Sequence, residues 1–343
     1  MARVISPCLA LLACGLMATP APADIASTAL EVPGSRAVPL VDVAAEPLGS
    51  ALVAWYDPAS KAVRVAERKG SRWRTAGIAL EPAPVGLSAW YATDGPGVAY
   101  ADAEGVWITR RSNGWRPALL VAGDAVALDA AVLADGSLLV VAAMREGGTA
   151  RLLAFAGALG AAPTQRDLGA VPDTTPVAAE RYRAGSAIGY AGVAGGLVVA
   201  TDDGGRRRVH RLGTRAGDVR LAADASGSVA AVYAGLPAGT GTRAIVGVAR
   251  FGAHGGAPRP IERDLACPGR PRPVVIGFLA TELRVGYLAC TGVWRLARSD
   301  GRPASVTPAG RLVGVLRASA TIAGRIVLVG ERGGRLELQW LRP

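Results

Sequence analysis

Val53-Ala54-Trp55-Tyr56-Asp57, Ala62-Val63-Arg64-Val65-Ala66-Glu67-Arg68 and Gly70-Ser71-Arg72-Trp73 follow one another in a single stretch. The same order returns as Val98-Ala99-Tyr100-Ala101-Asp102, Gly105-Val106-Trp107-Ile108-Thr109-Arg110-Arg111 and Asn113-Gly114-Trp115. Each copy reads as an apolar run, an Asp-bearing turn, a second run, a polar turn and a tryptophan. Short β-prone runs punctuated by Gly, Asp and Asn are the pattern of strands joined by tight turns. Trp73 and Trp115 stand 42 residues apart, the repeat length of one four-stranded propeller blade.

Looser copies extend the pattern in the C-terminal direction. Ala131–Val141 and Leu221–Val232 each place an apolar run on either side of an Asp/Gly turn. Gly195–Thr201, Gly292–Arg298 and Gly324–Trp340 add further units. Seven units start near residues 50, 97, 136, 195, 227, 284 and 324. The reading is an all-β β-propeller with seven blades, six being the neighbouring count that the uneven spacing allows. A pair of β-sandwiches is the competing all-β arrangement. A ring needs its two ends joined to remove exposed sheet edges, and Ala37–Ala44 is expected to supply the outer strand of the last blade.

Composition bounds the class. The chain has 343 residues with 45 Gly and 23 Pro, and the glycines lack the three-residue period of collagen. No Pro- or Ser-rich linker divides it, so one repetitive domain is expected over residues 24–343. Residues 1–23 read as a secretory leader. Arg3 is followed by an apolar run from Val4 to Met17 and by the small-residue exit Ala21-Pro22-Ala23, which places cleavage after Ala23. Leu11-Leu12-Ala13-Cys14 is a competing lipoprotein-type exit, with Cys14 as the lipidated residue. No other stretch reaches the ~20 apolar residues of a spanning helix. The expected location is secreted or periplasmic. An oxidising compartment permits Cys267 and Cys290 to pair as a disulfide, with two buried free thiols as the alternative. No metal ligand spacing is visible.

Net charge is +11, from 38 basic and 27 acidic residues. The basic residues are scattered singly through β-like segments, the tightest cluster being Arg206-Arg207-Arg208 with His210 and Arg211. Dispersed arginine on an exported chain fits an envelope or polyanion neighbour, not a nucleic-acid reader.

The units of the form Ala54-Trp55-Tyr56-Asp57 through Arg72-Trp73 resemble the repeats of bacterial exported propellers of the sialidase-like (BNR) superfamily, as a non-catalytic member. Thr201-Asp202-Asp203-Gly204-Gly205 has the order of that superfamily's Asp-box turn, and it follows the apolar run Leu197–Ala200. The resemblance implies a structural role for Asp203 and Gly205: an acidic side chain accepting backbone N–H bonds, and a glycine at positive φ. Asp57, Asp102, Asp135 and Asp224 read as turn residues of the same kind.

In the sialidase-like superfamily, catalysis implies an arginine triad, a tyrosine assisted by glutamate and an aspartate. The residues available are Glu180, Arg181, Tyr182, Arg183, Tyr190, Glu282, Arg284 and Tyr287, and none falls in a family-matched position. His210 and His254 have no motif around them. No cofactor is expected and no catalytic set is assigned. The reading is therefore an exported, non-enzymatic binding or scaffold protein, presenting a propeller loop face to a protein or glycan partner in the cell envelope. The alternative is a glycoside hydrolase of sialidase-like type, which requires at least two arginines and an acid/Tyr pair converging in the central cleft. The long connections Pro172–Arg183, Gly235–Arg243 and Ala253–Arg272 are where a docking site is expected. Within the last of them, Arg259, Arg263, Arg270 and Arg272 are the candidate binding residues.

Overall fold

A computed structural model of the chain describes residues 25–342 except 27–28, 37, 39, 47, 80–81, 159–160, 225–227, 238–243, 253–255, 266–271, 280–281, 289–293, 300–305, 309–313 and 321–325. The expected leader through Ala23, Arg270, His254 and the Cys267–Cys290 pair lie outside the described residues. The side chains of Arg259, Arg263 and Arg272 do too.

Two short strands come first, β1 (Ile25–Ala26) and β2 (Leu30–Glu31). Antiparallel meanders follow. β3 (Val41–Ala45), β4 (Ala51–Asp57), β5 (Ala62–Lys69) and β6 (Arg72–Ala79) form blade 1. β7 (Gly86–Ala92), β8 (Gly95–Ala101), β9 (Gly105–Arg110) and β10 (Ala118–Ala122) form blade 2. β11 (Ala125–Val132), β12 (Leu138–Glu146), β13 (Thr149–Gly157) and β14 (Thr164–Val171) form blade 3. β15 (Val177–Tyr182), β16 (Gly185–Ala191), β17 (Gly196–Asp203) and the first half of β18 (Arg206–Ala223) form blade 4. The second half of β18 opens blade 5, with β19 (Val229–Pro237), β20 (Ala244–Phe251) and β21 (Gly256–Leu265). β22 (Arg272–Leu279), β23 (Glu282–Leu288), β24 (Trp294–Ser299) and β25 (Val306–Pro308) form blade 6. β26 (Gly314–Ala320), β27 (Ile326–Arg332) and β28 (Arg335–Arg342) belong to blade 7.

Among the described residues, backbone hydrogen bonding groups these strands into six sheets, because β18 runs unbroken from blade 4 into blade 5 and fuses them into one seven-stranded sheet. Counted by inner strands, the ring has seven members among the described residues. β3, β7, β11, β15, β18, β22 and β26 touch in that order, and β26 returns to β3. The two counts differ only in whether the fused pair is taken as one sheet or two blades. Six of the seven sequence units begin at the second strand of a blade. The unit near residue 195 begins instead at β17, the third strand of blade 4.

Closure differs from the expectation. Ala37–Ala44 does not complete the last blade, since Val41–Ala45 is the inner strand of the first. The last blade is completed by β1 and β2, which both pair with β28 (Ile25 opposite Arg342, Leu30 opposite Leu338). Val32 is fully buried, its N–H bonded to the Leu336 carbonyl at 2.9 Å, and Ser35 Oγ accepts the Leu336 N–H at 3.0 Å. The apolar Val32 and the hydroxyl of Ser35 favour this docking more than Ala37–Ala44 could, because Val41 and Val43 are already committed to the core between blades 7 and 1.

The blades stack through apolar side chains that alternate along each strand. A recurring element is an aromatic residue on the second strand, preceded by a small or β-branched one: Trp55, Tyr100, Tyr190, Tyr233 and Tyr287, all buried. Opposite Tyr233 a glycine makes room for the ring. A Cβ on Gly247 would lie 2.4 Å from the ring of Tyr233, its cross-strand partner. Trp73 and Trp115 are partly buried, Trp73 against the core between blades 7 and 1 and Trp115 against that between blades 1 and 2.

The turn aspartates behave as the sequence indicates. Asp57 accepts the Ala59 N–H, Asp102 those of Glu104 and Gly105, Asp135 that of Ser137 and Asp224 that of Ser228. The Asp-box-like turn corrects the expectation for Asp203, because the backbone N–H acceptor is the preceding aspartate. Asp202 accepts the Gly205 N–H at 3.0 Å, whereas Asp203 pairs with Arg183 at 3.0 Å. Gly205 has the positive φ, 88°, that the turn requires.

Candidate functional site

The register of the inner strands defines a ring of equivalent positions. Asp42 lies opposite Ala54, Ser88 opposite Ala99, Asp129 opposite Val141, Ala178 opposite Gly189, Arg220 opposite Val232, Val275 opposite Gly286 and Arg317 opposite Val329. Acceptors thus cluster on blades 1 to 3, and cations on blades 5 and 7.

The acceptor half stitches the inner strands together. Asp42 Oδ2 accepts the Ala89 N–H of β7 at 2.7 Å. Ser88 Oγ accepts the Ala130 N–H of β11 at 3.1 Å and donates to Asp129 Oδ1 at 2.8 Å. Asp129 Oδ2 accepts the Ala179 N–H of β15 at 2.9 Å. Each acceptor binds the residue that follows the equivalent position on the next strand. Ala178 cannot continue the series. Glu180, two residues on, reaches a backbone N–H at Ala223 instead, besides that of Arg181 at 2.8 Å.

These groups surround an axial pocket of about 570 Å³, walled by β3, β7, β11, β15, β18 and β26. Asp42, Asp129, Glu180, Arg181, Arg220 and Arg317 line it, with Tyr91 and Trp90. Burial raises the Asp42 carboxyl to about 6, Asp129 adding to the effect and Arg317 opposing it. Burial likewise raises Glu180 to about 7. Arg317 is lowered to about 10, first by the neighbouring charge of Arg220 and then by burial. Burial works against the charge of Arg220 as well, but Asp218, Asp129 and Asp42 outweigh it. The buried Nε of Arg220 and the indole N–H of Trp90 have no hydrogen-bond partner among the described residues. The pocket therefore offers acceptors on one side and guanidinium donors on the other, all mounted on strands.

No known protein family and no curated protein matches the sequence. Solved structures do match the fold. A lectin of Aleuria aurantia, solved as a mutant in complex with Fucα1-6GlcNAc, aligns with 15% identity over 79% of this chain and 97% of its own, at a TM-score of 0.53. Virginiamycin B lyase from Staphylococcus aureus aligns with 8% identity over 93% and 99%, at 0.59. The WD40 β-propeller domain of Doa1 aligns with 13% identity over 92% and 97%, at 0.53. The fold is a β-propeller. At these identities the likeness extends to the fold alone.

The sequence candidates distribute unevenly over this frame. Pro172–Arg183 is not a loop at its C-terminal end but carries β15, which brings Glu180 and Arg181 to the pocket. Tyr182 and Tyr190 are buried in the cores between blades, and Arg183 pairs with Asp203 away from the axis. Arg284 and Tyr287 are buried in β23. Ala253–Arg272 contains β21, the outer strand of blade 5, and both Arg259 and Arg263 belong to it. Asp42, Asp129, Arg220 and Arg317 were not singled out in the sequence. Asp42, Asp129 and Arg317 each stand alone in an apolar run, and a charge inside such a strand is the signal that marks them; Arg220 follows Asp218 in the charged strand β18 and has no such signal.

A Tyr/acid pair does exist near the pocket. Tyr91 Oη donates to Glu67 Oε1 at 3.0 Å, and Arg111 pairs with the same carboxylate. Burial and then the charge of Glu67 raise the Tyr91 phenol, the direction opposite to activation as a nucleophile. The arrangement locks blade 2 to blade 1.

Proposed function

We propose that this is an exported binding propeller without catalytic activity, which takes a polar group of a protein or glycan partner of the cell envelope into its axial pocket. The observation that supports it is the pocket's division into an acceptor half and a guanidinium half on rigid inner strands. Such a site holds a ligand by orientation, since the carboxylates already bond neighbouring strands. Arg259, Arg263, Arg270 and Arg272 are proposed as an accessory contact. Export rests on the tripartite pattern of residues 1–23. The test is binding of residues 24–343 to arrayed glycans and to envelope extract, compared with an Arg220→Gln/Arg317→Gln variant. Retained binding by that variant excludes the pocket. Retained binding by a variant neutralised at Arg259, Arg263, Arg270 and Arg272 excludes the accessory contact. An N-terminus at Asp24 in protein recovered from the native source tests the leader.

A second reading, glycoside hydrolysis of sialidase-like type, is favoured by one observation: Asp42 and Glu180 are both raised carboxyls in one pocket with three arginines. Turnover of chromogenic aryl sialosides and glycosides that is lost in Glu180→Gln would support it over binding alone.

A further inference from the structure

The outer edge of blade 4 carries an unneutralised charge that the axial pocket does not use. The first half of β18 pairs with β17 from Asp203 opposite Arg206 to Leu197 opposite Leu212. No other strand pairs with Arg206–Leu212 among the described residues, so the backbone groups of its far edge are open. Arg206, Arg207, Arg208 and Arg211 are all exposed, and Val209 between them is 43% exposed.

The nearest carboxylates are already taken. Asp202, opposite Arg207, pairs with Arg166 of blade 3 at 2.9 Å. Asp203, opposite Arg206, pairs with Arg183 at 3.0 Å. The four arginines of the edge therefore make no ion pair among the described residues. They also point both ways. Successive strand residues alternate between faces, so Arg206 and Arg208 share one face with His210, whose ring packs against Phe251 at 4.6 Å. Arg207 and Arg211 share the other.

We propose that Arg206–Leu212 is a docking edge for an acidic, extended peptide segment of a partner protein, which adds to β18 as a further strand. Strand addition satisfies the open N–H and C=O groups, and acidic residues on both faces of the added strand meet arginines on both faces of the edge. A lipid surface reaches only side chains that point the same way. A linear polysaccharide has no amide ladder with which to pair. Charged edges are also a device against edge-to-edge self-association. Here both roles coincide, because a charge that repels a second copy of the edge selects for an acidic partner.

The probe is a fluorescein-labelled peptide, Glu-Glu-Thr-Glu-Glu-Val-Glu, titrated against residues 24–343 by fluorescence anisotropy. Saturable binding is expected, weakened about tenfold or more when Arg206, Arg207, Arg208 and Arg211 are replaced by Gln. Circular dichroism checks that the variant is folded, as substitution of exposed side chains should permit. Two N-methylated peptides separate pairing from charge alone. Methylating one alternate set of amides should cost about tenfold and methylating the other set little, because only one set faces the edge. Equal binding of both methylated peptides and the parent would overturn strand addition, as would no saturable binding of the parent. Tighter binding of polygalacturonate than of the peptide would overturn the choice of partner. None of these outcomes bears on the axial pocket.

Discussion

Asp42 and Ala89 join the first two blades at the axis, the carboxylate of one accepting the backbone N–H of the other at 2.7 Å. The bond comes with a titration, because burial lifts this carboxyl from 3.8 to about 6. An acid whose pKa is raised on folding holds its proton more tightly in the folded chain. Its contribution to stability is thus greatest below the unfolded pKa and declines as pH rises through the window from 3.8 to about 6. Glu180 extends the decline, from 4.5 to about 7. Asp42→Asn keeps an acceptor for Ala89 and carries no charge. It is expected to flatten the lower part of this pH dependence and to gain at most about 3 kcal/mol at alkaline pH. Urea unfolding across that pH range measures it. Equal slopes for the wild type and Asp42→Asn through the window would contradict the assignment, because the comparison cancels the carboxylates elsewhere that are shifted the other way.

Glu67 is buried and holds both Arg111 and the hydroxyl of Tyr91. Removing Arg111 leaves an unpaired buried carboxylate, so Arg111→Ala should cost about 2–4 kcal/mol. Tyr91→Phe removes one hydrogen bond and should cost about 1–2 kcal/mol. The double substitution should cost measurably less than the two singles added, since both act on one carboxylate. A double-mutant cycle by equilibrium unfolding gives the coupling, and strict additivity would show that the three groups do not act together.

Gly247 faces the ring of Tyr233 across β19 and β20. A methyl group there meets the ring at 2.4 Å and forces it out of its place in the core. Gly247→Ala is expected to destabilise by about 1–3 kcal/mol. The same substitution made alongside Tyr233→Val should cost far less than it does alone. Thermal unfolding of the four proteins decides between this and a purely backbone effect, which would leave the cost unchanged.

The seam between the chain ends is held by Ser35, whose hydroxyl donates to the Val32 carbonyl at 2.7 Å and accepts the Leu336 N–H at 3.0 Å. Ser35→Ala leaves that buried N–H unsatisfied and should cost about 1–3 kcal/mol. Deletion of residues 25–33 should do more, opening β28 as an edge and promoting association. Hydrogen exchange would show increased rates at β28 first. Unchanged protection there in the deletion variant would mean that closure by β1 and β2 contributes little.

Much of the fold was legible because blade repetition leaves a local signature. The second strand of a blade is apolar, carries an aromatic residue and ends near an Asp turn, so Val53–Asp57 and Val98–Asp102 announce themselves. The sequence pattern places the unit of blade 4 one strand late, because β17, with its Asp-box-like end, has the stronger signal than β16. The fusion of blades 4 and 5 was also hidden. Leu212-Gly213-Thr214 looks like a break, yet β18 continues through it.

The site was less legible than the fold. Glu180 and Arg181 drew notice through their local polarity, but Asp42, Asp129, Arg220 and Arg317 are separated by tens to hundreds of residues. Nothing in a one-dimensional pattern tells that they occupy one ring, because their equivalence is a matter of register between inner strands.

The sequence by itself determined the strand-and-turn repeat, the turn aspartates and the all-β ring, since each depends on alternation and backbone preference within a few residues. Only the tertiary structure decided which strand closes the ring, where the axial pocket lies and how its charges divide. Those depend on which strands become neighbours, and on whether burial and a charge from another blade oppose or reinforce each other at one point in space.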